Sequence, residues 1–324
     1  MPTCLVIANI LHKKDGEYAD ILRAGGFDLR FPALGHRQLV ESELAAELAG
    51  AAATIAGSEP YTAAILADFP ELRVISRTGV GYDAIDLAAA RERRVAIGIT
   101  PGANHDAVAE QAFALLLGIA RRVPQNHANV AGGGFERRVP EPVRGRTIGI
   151  VGFGRTGRAM AERALAFGMT VIAYDPFPVA PAPGVRIVEL EEIFAASDYL
   201  SLHAPLSPQT AQLVRAETIA RMKPTVRIVN TARGGLIDEA DLAAALASGR
   251  VAGAALDVFA DEPPKGSPLL SAPNTVLSPH LAGIDATSCA AMGAMAAQTI
   301  VDLYHGRFPA ERVANAADLP NWKW

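Results

Sequence analysis

The stretch TIGIVGFGRTGRAMAERALAFGMTVIAYD, residues 147–175, decides the fold. It opens on a β-branched apolar run, passes through Gly152, Gly154 and Gly157, and continues in a helical pattern. Each glycine answers a demand of a strand–turn–helix unit that holds a dinucleotide. These are a tight turn, close approach of backbone to a pyrophosphate, and close packing of helix on strand. The helix start also offers unpaired N–H groups and a positive dipole end to phosphates. A glycine-rich turn alone is weak, because such turns are common. Here the next apolar run ends in Asp175, 18 residues after Gly157. That is close to the roughly 20-residue spacing of the carboxylate that accepts from ribose hydroxyls. Such a carboxylate repels a 2′-phosphate, and Pro176 and Phe177 follow it rather than Arg or Lys. NAD is therefore expected over NADP.

Downstream the pattern repeats. With TIGIVG and TVIAYD, the runs YLSLHAP, VRIVNTA, VAGAALDVF and TVLSPH make six candidate strands. Upstream, CLVIANI, AATIAGS, LRVISRTG and VAIGIT alternate with the helical patterns GEYADILRAGG, YTAAILADF and IDLAAARERR. Strand–helix alternation implies parallel sheets with helices on both faces. The expected class is α/β with two doubly wound parallel-sheet domains, a Rossmann NAD-binding domain and a flavodoxin-like substrate domain. A long helix is expected over about Asp106–Arg122, with GGGFERRVPEPVRG as a loop. After Gly283 a helical pattern rich in small residues, SCAAMGAMAAQTIVDLYHG, is suited to packing back on the first domain. The expected division is 1–100 with 284–324, and 101–283.

With 324 residues, half of them apolar and a fifth charged, the chain has enough material for two buried cores. Its net charge of −4 is interleaved rather than blocked, and no basic stripe points to nucleic acid. Cys4 and Cys289 match no metal spacing or disulfide framework, which suits a reducing cytoplasm. The leading MPTCLVIANIL lacks the basic start of a signal peptide and reads as a first strand. The longest apolar stretch, around AFALLLGIA, is too short to span a bilayer. A membrane role is not expected.

Strand ends in open parallel sheets face ligands, and three of them carry notable groups. Arg233 ends VRIVNTAR before two glycines, Glu262 lies in the loop beyond ALDVF, and His280 ends TVLSPH. Reduction of a 2-oxo acid needs a hydride donor, a proton donor and a cationic anchor. Histidine suits proton transfer near neutral pH, and a carboxylate partner orients the ring and favours its charged form. The planar arginine fork matches a carboxylate. Singly, each residue has a plain alternative as a surface cation, a loop charge or a strand-end histidine. Together, beside a dinucleotide turn, they form a catalytic constellation.

The motifs RTGVGYDAIDLAAA, VGFGRTGRAMAERALAFGMTVIAYDP, HAPLSPQT, MKPTVRIVNTARGGLIDEADLAAAL, ALDVFADEPP and SPHLAG, in this order, resemble the D-isomer-specific 2-hydroxyacid dehydrogenase family. That family includes phosphoglycerate dehydrogenases and glyoxylate/hydroxypyruvate reductases. The resemblance implies Arg233, Glu262 and His280 as the catalytic set, with His280 as proton donor in reduction and base in oxidation. It implies that Arg155 and Thr156, with Gly152, Gly154 and Gly157, meet the pyrophosphate and that Asp175 holds the adenine ribose. His203, Ala204, Pro205 and Thr210 would line the adenosine side. Thr231, Ala232, Asp257 and Gly283 would face the nicotinamide end, with Asp257 near the carboxamide. The backbone N–H groups of Val80 and Gly81 would receive the substrate carboxylate, with Arg77 and Arg233 as cationic partners. Glu262 stands where formate dehydrogenases of the wider family have Gln. A homodimer built on the 106–122 helix and the GGGFERR loop is also implied.

One departure concerns the substrate. Phosphoglycerate dehydrogenases of the animal type carry a basic residue at the end of the strand matching ATIAGSEPYT, and here that stretch has Ser58 and Glu59 and no Lys or Arg. A small 2-oxo acid such as hydroxypyruvate or glyoxylate is therefore the expected substrate. The alternatives are D-3-phosphoglycerate and a non-catalytic NAD-sensing module like the transcriptional corepressors that share the scaffold.

Overall fold

Short runs of β-branched and small residues form two separate all-parallel sheets. The computed structural model describes residues 1–324 apart from 12–14, 34–37, 178–179 and 181. The chain divides into two units, Met1–Asn104 with Ile284–Trp324, and His105–Gly283.

In the first unit the strands are β1 (Thr3–Val6), β2 (Asp28–Arg30), β3 (Ala51–Ala56), β4 (Val74–Arg77) and β5 (Ala96–Gly98). Their order is β2-β1-β3-β4-β5, the flavodoxin-like order, which reverses between β1 and β3. Helices α1 (Glu17–Ala24), α2 (Glu41–Leu48), α3 (Ala63–Asp68) and α4 (Leu87–Glu92) connect them. Thr62 and Asp86 cap α3 and α4, each side-chain oxygen accepting a backbone N–H of the first turn. Alternate residues of β1 feed two cores: Cys4 and Val6 face one, Leu5 the other. Both faces of the sheet are covered, so its strands read as continuous apolar runs.

The second unit begins with α5 (His105–Arg121) and α6 (Val123–Ala131), then β6 (Thr147–Val151), α7 (Arg155–Ala166), β7 (Thr170–Tyr174) and β8 (Val185–Ile187). It continues through α8 (Leu190–Ala196), β9 (Tyr199–Leu202), α9 (Ala216–Ile219), β10 (Arg227–Asn230), α10 (Glu239–Ala247), β11 (Gly253–Leu256) and β12 (Thr275–Leu277). The strand order, β12-β11-β10-β9-β6-β7-β8, reverses between β6 and β9, as in a Rossmann sheet. The sheet has seven strands, where the sequence pattern pointed to six; β8 is the addition, a three-residue edge strand with little burial. α6 is a second addition. It follows Arg122 in left-handed conformation, carries Pro124 in its first turn and buries none of its residues.

The chain then returns to the first unit as α11 (Ala286–Tyr304), capped by Asp285, which accepts the Ser288 N–H at 2.6 Å. Ala296, Ala297, Ile300 and Val301 of this helix share a core with Cys4, Val6 and Ile55. Beyond it, Trp322 and Trp324 join that core, Trp324 stacking edge-on with Phe27 and Tyr304 at 5.6 and 5.0 Å. No described helix is long and apolar enough to cross a membrane.

Candidate active site

The site residues of the second unit stand at the carboxyl ends of β6, β7, β9, β10, β11 and β12. Gly152 leaves β6 with φ +91°, and a Cβ there would lie 2.6 Å from the His203 carbonyl carbon beyond β9. A Cβ on Gly157 would sit 2.1 Å from the Gly152 carbonyl oxygen, so only glycine lets α7 pack this close to its strand. At Gly154, which caps α7, a Cβ would meet nothing within 4 Å. This is open space at a helix N-terminus, suited to a pyrophosphate. Arg155 is exposed here and Thr156 half-buried.

Asp175 at the end of β7 accepts the Phe153 N–H of the glycine turn at 2.8 Å and the Phe177 N–H at 3.0 Å, one on each oxygen. A carboxylate has about four acceptor positions, so two remain for ribose hydroxyls. This donor and acceptor set fits NAD.

At the end of β9, the His203 ring shares a 2.8 Å hydrogen bond with the Ser201 hydroxyl, and burial pushes it down to about 4. The ring is neutral at physiological pH. Ala204 is buried, and Pro205 accepts the Thr210 hydroxyl at 2.7 Å while that hydroxyl accepts the Ser207 N–H at 2.8 Å. Thr210 thus closes its own turn.

Asn230, which the sequence reading passed over, organises the end of β10. Fully buried, it donates to the Arg233 carbonyl at 2.8 Å and accepts the Ala232 N–H at 3.0 Å. Arg233 Nη1 donates to the Ala232 carbonyl at 2.7 Å, and Thr231 beside it is buried. Next comes Gly234, where a Cβ would stand 1.9 Å from the Phe259 carbonyl carbon. The arginine turn therefore lies directly on the backbone of the loop that carries Glu262.

Glu262 Oε1 accepts the Phe259 N–H at 3.1 Å, and Oε2 pairs with His280 Nδ1 at 2.6 Å. Burial pushes this carboxyl up, but the His280 hydrogen bond and charge, the Phe259 N–H and nearby Arg233 outweigh it and hold Glu262 below its usual range. Glu262 and His280 are therefore in direct contact, and Arg233 lies close enough for its charge to act on the Glu262 carboxyl. With Nδ1 engaged, Nε2 is the ring nitrogen of His280 left for a substrate.

His280 itself has φ +50°, a left-handed backbone that costs a non-glycine residue about 1–2 kcal/mol. Asp257, 0 % exposed at the end of β11, holds it there. Its carbonyl accepts the His280 N–H at 2.7 Å. Its carboxylate accepts the Ser278 hydroxyl, the Leu281 N–H at 3.1 Å and the Ala282 N–H at 2.8 Å. Asp257, expected near the nicotinamide carboxamide, thus gives three of its roughly four acceptor positions to the SPHLAG turn that Gly283 ends. Ser278 is a second residue missed from sequence.

In the first unit Arg77 ends β4, and Val80 and Gly81 follow in a turn begun by Gly79 with φ +156°. Arg77 is only 9 % exposed, its Nε donating to the Gly57 carbonyl at 2.5 Å.

Residues 113–282 match the family model described as D-isomer specific 2-hydroxyacid dehydrogenase, NAD binding domain. The D-3-phosphoglycerate dehydrogenase of Methanocaldococcus jannaschii is 40 % identical over 259 residues, 78 % of this chain and 49 % of that protein. The chain thus spans about half the length of the curated relatives it matches. Among solved structures, the TT0316 protein of Thermus thermophilus aligns with TM-score 0.85 and 36 % identity over 96 % of this chain and 99 % of that one. A glyoxylate reductase from Paecilomyes thermophila aligns with TM-score 0.84 and 28 % identity, over 97 % and 98 % of the two chains.

Proposed function

The chain belongs to the D-isomer specific 2-hydroxyacid dehydrogenase family, and from that premise we propose that it interconverts a small 2-oxo acid, such as hydroxypyruvate or glyoxylate, and its 2-hydroxy acid. The observation that carries this reading is the 2.6 Å pair of His280 Nδ1 and Glu262, with Arg233 beside it. NAD, when bound, gives or takes the hydride at the substrate's C2. His280 Nε2 delivers a proton to the 2-oxygen in reduction and removes it in oxidation. Glu262 fixes the ring's orientation and favours its charged form. Arg233 anchors the acid's carboxylate through its planar fork.

The second reading is D-3-phosphoglycerate, favoured by the names of the curated relatives. Against it stands the absence of Lys and Arg between residues 51 and 62, where a dianion would need them. Loss of NADH absorbance is followed with a panel of phosphorylated and unphosphorylated 2-oxo acids. Turnover of hydroxypyruvate or glyoxylate above the phosphorylated acid is expected. Tight NADH binding without turnover of any acid would overturn the enzyme reading in favour of an NAD-sensing module.

The homodimer expected on the 106–122 helix and the GGGFERR loop accompanies this proposal, and the segment 123–139 adds exposed apolar residues to it. α6 buries no side chain, and Val123, Val130, Phe135 and Val139, the last 99 % exposed, leave apolar surface on this segment. Light scattering of the protein and of Val130→Glu tests it, with a dimer expected to weaken in the variant.

A further inference from the structure

Glu262 must stand still to orient His280, yet the segment that carries it has little of its own to hold it. Residues 260–263 are exposed, and 259–267 form neither helix nor strand between β11 and β12. Within the segment, the Lys265 N–H donates to the Pro263 carbonyl at 2.7 Å and the Ser267 N–H to the Pro264 carbonyl at 3.1 Å. These short-range bonds shape the loop without fixing where it lies.

Glu239 fixes it from outside. It is the first residue of α10 and half-buried. One of its oxygens accepts the Ala260 N–H at 2.8 Å and the other the Ser267 hydroxyl at 2.5 Å, so the two contacts bracket Glu262 along the chain. Hydrogen bonds to an ionised acceptor are the strong ones, and the positive end of a helix dipole favours a carboxylate in its first turn. The platform beneath is firm. Asp238 caps α10, accepting the Ala240 and Asp241 N–H groups at 3.0 Å each. Leu242 and Leu246 of the helix are buried in one core with Leu269, two residues beyond Ser267. The chain enters α10 from the arginine turn, whose Gly234 lies on the Phe259 backbone. One carboxylate thus ties the element that begins at Arg233 to both ends of the loop that carries Glu262.

We propose that Glu239 is a positioning residue for the reaction: by holding both ends of the 260–267 loop on α10, it sets the place of the Glu262 carboxylate and, through it, the orientation of the His280 ring. This deepens the functional reading above and rests on it, in that His280 is taken to move the proton. Glu239 acts through the loop rather than on the reacting atoms. Without its two acceptor oxygens, the loop visits arrangements in which Glu262 leaves His280 Nδ1. The glycine turn and Asp175 stand on β6 and β7, away from this loop in the sheet order, so NADH affinity should hold.

The test compares Glu239→Ala, which removes both ties, with Glu239→Gln, whose amide oxygen can accept from Ala260 while its NH2 donates to the Ser267 hydroxyl. In reduction of hydroxypyruvate and glyoxylate, kcat should fall about tenfold or more in Glu239→Ala, with KM and the Kd for NADH within about threefold of the parent. Glu239→Gln should return kcat to within about threefold of the parent. In a Glu262→Gln background, Glu239→Ala should add less than about threefold. The Nδ1 proton shared with Glu262 gives a readout that needs no turnover. Its NMR resonance, identified by its loss in His280→Ala, should persist in the parent and in Glu239→Gln and broaden away in Glu239→Ala. If Glu239→Ala does not fold, as judged by its thermal transition, Ser267→Ala decides; it removes one tie and should lower kcat by more than about twofold. A kcat within about twofold of the parent in the folded variant overturns the proposal. So does a loss in Glu239→Gln as deep as in Glu239→Ala, an equal further loss in the Glu262→Gln background, or an unchanged resonance in Glu239→Ala. Loss of that resonance in a protein that reduces no acid supports the role of Glu239 while overturning the enzyme reading.

Discussion

Asp257→Asn tests how His280 is held. The carboxylate accepts three hydrogen bonds, from Ser278, Leu281 and Ala282, and the residue is fully buried. Asparagine has the same shape but replaces one acceptor oxygen with a donor. If its oxygen keeps Ser278 and Leu281, its NH2 confronts the Ala282 N–H, and two donors meet in a dry place. An unsatisfied buried donor costs about 1–3 kcal/mol, and hydrogen bonds to a charged acceptor exceed neutral ones by roughly 1 kcal/mol. A central figure of about 2 kcal/mol matches the cost of about 1–2 kcal/mol for the left-handed backbone of His280. The turn would then populate arrangements in which the ring leaves Glu262. Since about 1.4 kcal/mol is tenfold, kcat/KM should fall about 10- to 30-fold. The assay is a double-mutant cycle with His280→Ala, read in kcat/KM and in the Kd for NADH. Because the effect is routed through the imidazole, Asp257→Asn should add little once the ring is gone. An equal further loss in the His280→Ala background, or a defect confined to NADH affinity, refutes this reasoning and returns Asp257 to a cofactor contact.

His280→Ala should lower kcat by about 10²- to 10⁴-fold, the usual worth of a positioned acid or base, while NADH fluorescence titration gives a nearly unchanged Kd. Asp175→Ala should narrow the preference for NADH over NADPH, read as the ratio of kcat/KM values; an unmoved ratio would remove Asp175 from the ribose. Glu262 is held below its ordinary range, so its contribution to stability is present above the unfolded carboxyl's pKa and lost as pH falls through the lower folded value. The thermal midpoint of the parent should therefore exceed that of Glu262→Gln from neutral pH down to the ordinary glutamate range. In stronger acid the two should converge, and a gap that persists there would count against the His280 pair as its source.

Much of the fold is legible because both sheets are buried on two faces, which turns each internal strand into an unbroken apolar run. The pieces that escape notice lack that signature. β2 and β8 are three-residue edge strands, and β8 is mostly exposed. α6 buries nothing, so no periodic stripe announces it. In the site, Arg233, Glu262 and His280 stand out because their chemistry is written in their side chains. Asn230 and Ser278 do not, since their roles consist of closing turns whose shape only the folded chain reveals. Asp257 enters through the resemblance as a nicotinamide neighbour, and its carboxylate partners lie 21 to 25 residues away along the chain. Arg77 enters the sequence reading through the family resemblance, as a cationic partner of the substrate. Its pairing with the Gly57 peptide depends on β3 and β4 being neighbours in register.

The return of the chain to its first unit carries a consequence for how the molecule is made. Residues 105–283 form one uninterrupted stretch with its own sheet and two cores, and can mature as they leave the ribosome. The first unit is synthesised earlier yet must wait. Until α11 and Trp322 arrive, Cys4, Val6 and Ile55 have only the earlier part of their core, with Ala19, Leu22 and Phe27, to cover them. At about 5–20 residues per second, the roughly 180-residue excursion leaves that core incomplete for some 10 to 40 seconds. For that interval the nascent N-terminal sheet exposes apolar surface that the finished fold buries.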